Sequence, residues 1–321
     1  MIPEFPQFKN LQLSDKEEIE KIASKFPPYS AFNFTNLWAW DVRGDRKLSK
    51  LNGNLVVLFT NYNTQEPYLS FLGINKCEDT TFKLLNFAEE SKIFPKLCFI
   101  TKETIQHLQS SSLHIEEDCD NSDYIFSPSR LAELCGSELK DQRHLARRFR
   151  RENPDAVFSF ENLSDPSIQE KIHSVLRQWE NRKKSQNKPF DLRFEEKALR
   201  RLLETADTHK LTLSCVHLHD AMLGFSIDEI LPSQNVIAHF IKADNFYRGI
   251  YEFINKELAQ HLVNCSATSW NWQQDLNIEN LRKTKISYRP IALLKRYTVS
   301  LSPAVNKKNI TIKKRLLFWQ K

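Results

Sequence analysis

The stretch VIAHFIKADNFYRGIYEFINKELAQHLVNCSATSWNWQQD, residues 236–275, decides the fold. Val236 to Lys242 alternates apolar and polar residues as a strand does. Asp244-Asn-Phe-Tyr-Arg248-Gly249 is a polar turn, and the residues after it place Ile250, Phe253, Ile254, Leu258 and Leu262 on one helical face. A second strand is expected from Ala267 to Trp272. If the helix is a crossover the two strands are parallel, and Asp244, Arg248, Asn271 and Asp275 gather at their carboxyl ends, where open α/β sheets bind ligands. Arg248 and Gly249 fall at a helix N-terminus. Free N–H groups, the helix dipole and a bidentate guanidinium there suit a phosphate or a carboxylate, with Gly249 allowing close approach. A following helix, Ile278 to Lys285, adds Arg282, Lys283 and Lys285. Paired charges and a solvated face are the plainer reading of each of these residues taken singly.

The 321 residues, 40% hydrophobic and 27% charged, describe an ordinary globular protein with room for two domains. The first residues carry acids and no apolar core segment, and runs such as Leu55 to Phe59 are too short to span a bilayer, so a cytoplasmic protein is expected. The six cysteines form no CxxC pair, which leaves no zinc ribbon or redox dithiol, and the six glycines are too dispersed for GxGxxG or a P-loop. Residues 1–120 hold 13 Lys and Arg against 17 Asp and Glu, a balance of −4, so residues 121–321 carry +10 of the overall +6. A polyanion, RNA or an anionic phospholipid surface, is the partner that such asymmetry fits.

In the first half, a capped helix is expected from Ser14 to Ala23, strands at Leu51 to Thr60, Pro67 to Leu72 and Leu97 to Thr101, and a helix near Thr80 to Ser91. SAFNFTNLWAWD, residues 30–41, reads as a buried aromatic wall, or alternatively as a stacking platform. In the second half, SELKDQRHLARRFRRENP gives a helix with an apolar line Leu139, Leu145, Phe149. Arg143, Arg147, Arg148, Arg150 and Arg151 on its other faces are candidates for RNA or headgroup contact. Helices at Ile168 to Lys183 and Phe194 to Ala206 flank the polar connector NRKKSQNK, and a meander follows over Leu211 to Leu218, Ala221 to Glu229 and Val236 to Lys242. His217, His219 and His239 could meet across these strands, with 217 and 219 a possible metal couple, but the sequence places no third ligand, so a satisfied or exposed histidine is the plainer reading and no metal is expected. The tail KKNITIKKRLLFWQK reads equally as a peripheral membrane foot and as a packed terminal strand.

The aromatic segment Ser30 to Trp40, the basic helix Lys140 to Asn153, Lys242-Ala-Asp244 with Tyr247-Arg248-Gly249-Ile250-Tyr251 and Phe253-Ile-Asn255, and Asp275 with Leu281-Arg282-Lys283-Thr-Lys285 and Ser287-Tyr288-Arg289-Pro290 occur in an order that resembles the phosphatidylglycerol lysyltransferase C-terminal domain family. The resemblance implies an α/β fold of two tandem GNAT-like acyltransferase domains, as in Fem-type transferases, placed here at residues 1–122 and 123–321. Members of the family anchored in the membrane move lysine from lysyl-tRNA to a lipid headgroup, after membrane helices that are not expected here. Trp272, where a charged residue is more usual, and Asn277, where Gly is more usual, depart from the pattern beside the expected site.

Taken with the residues, the resemblance implies aminoacyl transfer from aminoacyl-tRNA as co-substrate, with no resident cofactor and tRNA as partner. Arg248 is expected to hold phosphate or developing charge, Asp244 or Asp275 to orient or deprotonate the nucleophile, and Tyr288 to donate a proton. Tyr247, Gly249, Asn271, Arg282, Lys283 and Lys285 are the expected substrate-binding positions. Two alternatives stand beside it: an acyl-CoA N-acyltransferase, which the single Gly at the helix start disfavours, and a non-catalytic RNA- or membrane-binding protein on the same fold.

Overall fold

The computed structural model describes residues 1–61, 64–185 and 193–302. In chain order the elements are β1 (Lys9–Asn10), α1 (Lys16–Ala23), α2 (Phe34–Ala39), β2 (Lys47–Leu51), β3 (Asn54–Thr60), β4 (Pro67–Leu72), α3 (Cys77–Glu90), β5 (Leu97–Thr101), α4 (Lys102–Ile105), β6 (Leu113–Phe126), α5 (Pro128–Glu133), α6 (Lys140–Glu152), β7 (Val157–Glu161), α7 (Pro166–Ser185), α8 (Arg193–Leu203), β8 (Leu211–Leu218), β9 (Ala221–Ile230), β10 (Asn235–Ala243), α9 (Ile250–Asn264), β11 (Ser269–Asn271), α10 (Glu279–Ser287) and β12 (Ala292–Leu301). Among the described residues no helix is long and apolar enough to cross a membrane. The reading of the tail, and of the connector beyond Ser185, lies outside the described residues.

The chain divides into two compact units. The first takes Met1–Pro27, Arg43–Asn121 and the chain from Leu294; the second takes Pro28–Val42 and Ser122–Leu293. A division at 122/123 therefore misplaces two segments. The aromatic segment leaves the first unit because Ser30, Asn33 and Asn36 find their polar partners at Asp123, Glu229 and His239. The chain from Leu294 joins the first unit because β12 pairs antiparallel with β5.

In the first unit the strand order is β1-β2-β3-β4-β5-β12. All pairs given are antiparallel except β4 with β5, which are parallel at Leu69 and Leu97 and are joined by the crossover helix α3. Val56, Leu69, Phe71, Leu84, Leu85, Leu97 and Ile100 form its core. The strand expected from Leu51 to Thr60 is really a hairpin. Asn52 (φ +56°) and Gly53 (φ +77°) turn the chain between Leu51 and Asn54, the two-residue geometry that Asn-Gly favours.

In the second unit the C-terminal half of β6 opens the order β6-β11-β10-β9-β8-β7, and β10 with β11 is its parallel pair. Their crossover, α9, buries Ile250, Phe253, Ile254, Leu258 and Leu262 as its spacing dictates. Helices α5 and α6 pack on α9, while α7 and α8 bury Ile172, Val175, Leu199 and Leu202 against Leu213, Phe225 and Ile227 of the sheet. The aromatic wall is a helix. Asn33 caps α2 by accepting from Asn36 N at 2.9 Å, which turns Phe34 and Leu37 inward and leaves Trp38 and Trp40 half-buried. On α6 the buried line is Leu139, Gln142, Ala146 and Phe149; Leu145, one position off that face, is only partly buried.

The junction of α6 and α9 turns on Gly249. It precedes α9 with φ +89°, and a Cβ there would lie 2.1 Å from the Leu145 carbonyl oxygen of α6. Close approach at Gly249 therefore serves helix against helix. Gly249→Ala is expected to cost at least about 2 kcal/mol through overpacking and the positive φ, read as a lower urea midpoint; an unchanged midpoint would refute the contact.

Candidate active site

Strands β10 and β11 pair at Asn235 with Ser269, Val236 with Trp270 and Ile237 with Asn271, and then part. On β10 the register to β9 shifts between Ala238 and Phe240. Beyond Asn271 the chain turns away, exchanging Trp272 N to Tyr124 O (2.9 Å) and Tyr124 N to Gln273 O (3.1 Å) with β6. The polar residues gathered where these parallel strands part are the centre of the candidate site.

Lys285 lies inside it. Its ammonium is buried and donates to three consecutive carbonyls, Trp272 (2.6 Å), Gln273 (3.1 Å) and Gln274 (2.6 Å). Burial pushes its pKa down, against the pull of Asp123 and Asp275, to about 8. All three protons are spent on the protein, so a role gripping RNA phosphates is excluded by geometry. Beside it Asp275 is fully buried. It accepts from Tyr124 Oη (2.6 Å), Arg282 Nε (2.8 Å) and Nη2 (2.9 Å), and Asn277 N (2.9 Å). Burial alone would raise its pKa, but Arg282, Tyr124 and the Asn277 N–H together hold it below the usual carboxylate range. A carboxylate so engaged positions its neighbours and is a poor proton acceptor.

Asn271 is likewise internal, donating to Pro28 O (2.7 Å) and Asp123 (3.1 Å) and accepting from Gln273 N (2.6 Å). Tyr288 is buried against Trp272 with ring centroids 4.9 Å apart, and its hydroxyl accepts from Asn255 at 3.3 Å. Burial and the nearby Glu252 raise its pKa well above the ordinary value, which leaves it a weak proton donor with no opening to a substrate. Lys283 is exposed and pairs with Glu279 at 2.5 Å, the solvated-face arrangement.

Asp244 does not meet Asp275. Arg182 of α7 forks onto it, Nη1 to Oδ1 and Nη2 to Oδ2 (3.0 Å), and Phe246 N donates to Oδ1 at 2.9 Å. Tyr247 is half-buried, with its ring edge-on to the exposed Phe246 at 5.5 Å. Arg248 is exposed, and its side chain has no hydrogen bond or ion pair with a described residue.

The basic helix sorts its residues by face. Arg143 donates to the carbonyls of Leu134 and Gly136, Arg148 pairs with Glu152 at 2.8 Å, and Arg150 donates to Ala156 O at 2.7 Å over the Phe253 ring. Arg143 and Arg150 tie the helix to its own domain, and the Arg148 pair lies within the helix. Lys140, His144, Arg147 and Arg151, spaced by four, three and four residues, fall on one exposed face, with no side-chain partner among the described residues. The Gly249–Leu145 contact sets Arg248 beside this helix, two residues before the start of α9.

A second polar chain was not legible as a site. Asn33 donates to Glu229 (2.8 Å), His239 bridges Glu229 (3.1 Å) and Asn36 (3.1 Å), and Asn36 reaches Gln273 Oε1 (2.9 Å). Gln273 Nε2 in turn donates to Ala238 O at 2.5 Å across the parted strands, and Ser30 is held by Asp123 at 2.7 and 2.8 Å. Asp-Glu at 228–229 inside an apolar strand was the available signal, because buried acids need partners. His217 faces Glu161 and His219 sits on the exposed hairpin turn, so the three strand histidines do not converge; among the described residues no His, Cys, Asp or Glu cluster fits a metal ion.

Because the folded Lys285 has the lower pKa, the unfolded chain binds the extra proton between about pH 8 and its ordinary value near 10.4. Stability contributed by this residue therefore rises as pH climbs through that window, by an amount on the order of a few kcal/mol. Urea midpoints of wild type and Lys285→Met measured from pH 7.5 to roughly 10 are expected to show that rise only in wild type; parallel curves would place the pKa elsewhere.

Residues 25–300 match the model of the family described as phosphatidylglycerol lysyltransferase, C-terminal. No curated protein matches the chain. Among solved structures, a conserved protein of unknown function from Bacteroides thetaiotaomicron is 24% identical, with a TM-score of 0.80 over 94% of this chain and 100% of that one. L-PGS from Bacillus licheniformis is 15% identical, with a TM-score of 0.62 over 98% of both chains. FemX is 9% identical, with a TM-score of 0.58 over 95% of this chain and 99% of that one. These likenesses establish the fold, two tandem GNAT-like domains, which agrees with a parallel strand pair and crossover helix in each unit. The family match spans most of the sequence, and the chain belongs to the phosphatidylglycerol lysyltransferase C-terminal family.

Proposed function

We propose that this chain moves an aminoacyl group from an aminoacyl-tRNA to an amine or hydroxyl acceptor, a lipid headgroup or a peptide. Membership in a lysyltransferase family supports a transferase. The observation that carries the donor is the set of five unpartnered basic side chains, Lys140, His144, Arg147, Arg151 and Arg248, on and beside one helix. Phosphates bind such a row without reading sequence.

In the reaction the acceptor nitrogen or oxygen attacks the ester carbonyl, the bond to the terminal ribose oxygen breaks, and the nucleophile's proton ends on that leaving hydroxyl. Neither carboxylate of the site is free to take this proton. Asp275 holds Arg282 and Tyr124, and Asp244 holds Arg182, so each is engaged in positioning its neighbours. Catalysis then rests on positioning and on local charge, with Arg248 holding donor phosphate. An acyl-CoA donor is disfavoured, because a single glycine, Gly249, stands at the head of α9, where several would be needed to wrap pyrophosphate.

Incubation with a tRNA pool charged with labelled amino acids plus a host extract is expected to move label into a lipid or peptide fraction only while the RNA is intact. Label appearing with acyl-CoA alone would reject the reading. Arg248→Ala is expected to abolish transfer at unchanged melting temperature, since the side chain supports nothing in the fold. For tRNA binding, the triple variant Arg147→Ala, Arg151→Ala, Arg248→Ala should lower the slope of log K against log salt by about three; an unchanged slope would remove this face from the RNA site.

A further inference from the structure

The turn between α10 and β12 presents an apolar surface that the proposed reaction does not use. Lys285 and Tyr288 are drawn inward by the carbonyls of residues 272–274 and by the Trp272 ring. The residues between and after them must point out. Ile286 is 45% exposed, Ile291 50% and Leu293 44%, with Ala292 also exposed. The backbone that carries them is fixed: Tyr288 N donates to Lys285 O (3.2 Å), Arg289 N to Ile286 O (3.0 Å) and Ile291 N to Ile125 O (2.8 Å). These aliphatic groups are held in water by a rigid turn.

The surroundings are basic. Lys283 and Arg289 are exposed within and beside the turn, and Gln142 of α6 donates to Ser287 O (3.1 Å) and Oγ (3.0 Å). That contact brings the Lys140 end of the exposed basic face up to the apolar turn. Acids temper it locally, Glu279 on Lys283 and Glu138 near Arg289. Yet α6 itself carries six Lys and Arg against Asp141 and Glu152.

We propose that the turn Ile286–Leu293 docks on an anionic phospholipid bilayer, its aliphatic side chains entering the interface while Lys283, Arg289 and Lys140 meet headgroups. Three half-exposed aliphatic side chains make a patch of a few hundred Å² at most, too small for a stable second copy, which needs about 800 Å² per partner. RNA is a poor occupant, since single strands seek aromatic stacking surfaces and none of these residues is aromatic. Aliphatic tips in a basic surround suit lipid. Docking is independent of what the acceptor proves to be.

Sedimentation with phosphatidylcholine vesicles, with and without phosphatidylserine, tests it in the absence of tRNA. The full chain is expected to sediment with the mixed vesicles and less with phosphatidylcholine alone, and Ile286→Ser, Ile291→Ser, Leu293→Ser together to lower the partition coefficient about tenfold or more at unchanged tRNA binding. Ile291→Trp should show a blue-shifted emission on the mixed vesicles, which guards against a folding defect in the triple variant. No sedimentation of wild type, equal sedimentation of the triple variant, or no spectral shift would overturn the proposal. So would concentration-dependent dimerisation abolished by the triple variant, which would assign the turn to a second copy.

Discussion

Two parallel strands that part leave backbone groups without partners, and everything in the second unit's site answers that constraint. Beyond Ile237 and Asn271 the facing edges of β10 and β11 no longer bond to each other. Buried peptide groups left unpaired are costly. The Gln273 side chain takes the Ala238 carbonyl, β6 takes the backbone of 272 and 273, and Lys285 takes three carbonyls in succession. A cation placed there needs compensating charge, which Asp123 and Asp275 provide at the expense of being locked themselves. The parted strands are thereby held in place by side chains in place of ladder bonds.

The segment Pro28–Val42 belongs to this constraint. It precedes the first unit's main strands in sequence but supplies Ser30, Asn33 and Asn36 to the second unit's polar interior. Its aromatics form a wall, wound into a helix that the Asn33 side chain caps.

Much of the architecture was legible. The period-3.6 face of α9 and the apolar runs of β8, β9 and β10 gave elements within a residue or two, because each is buried against a large core. The residues around Arg248 were correctly read as a helix start. What the sequence did not carry was which polar residues turn inward. Lys283 and Lys285, two residues apart on one short helix, look alike in sequence, yet one is solvated and one is the most enclosed cation of the site. Only the position of the 272–274 carbonyls separates them, and that is a tertiary fact. Asn52-Gly53, by contrast, was a turn signal present in the sequence and passed over within an apolar run.

The same glycine and carboxylates that first suggested anion and proton chemistry turn out to have structural duties, and this narrows the chemistry more than their absence would. Gly249 lets the head of α9 approach the Leu145 carbonyl of α6, which is a packing duty. Asp244 and Asp275 are each forked by an arginine, which removes the obvious bases. Exposed cationic groups remain, and they lie along a helix surface far longer than one cofactor phosphate needs. In the function proposed above, a donor that offers many phosphates along a backbone, with its reactive ester at the end, makes use of all of them, as a nucleotide thioester with its phosphates clustered at one end would not.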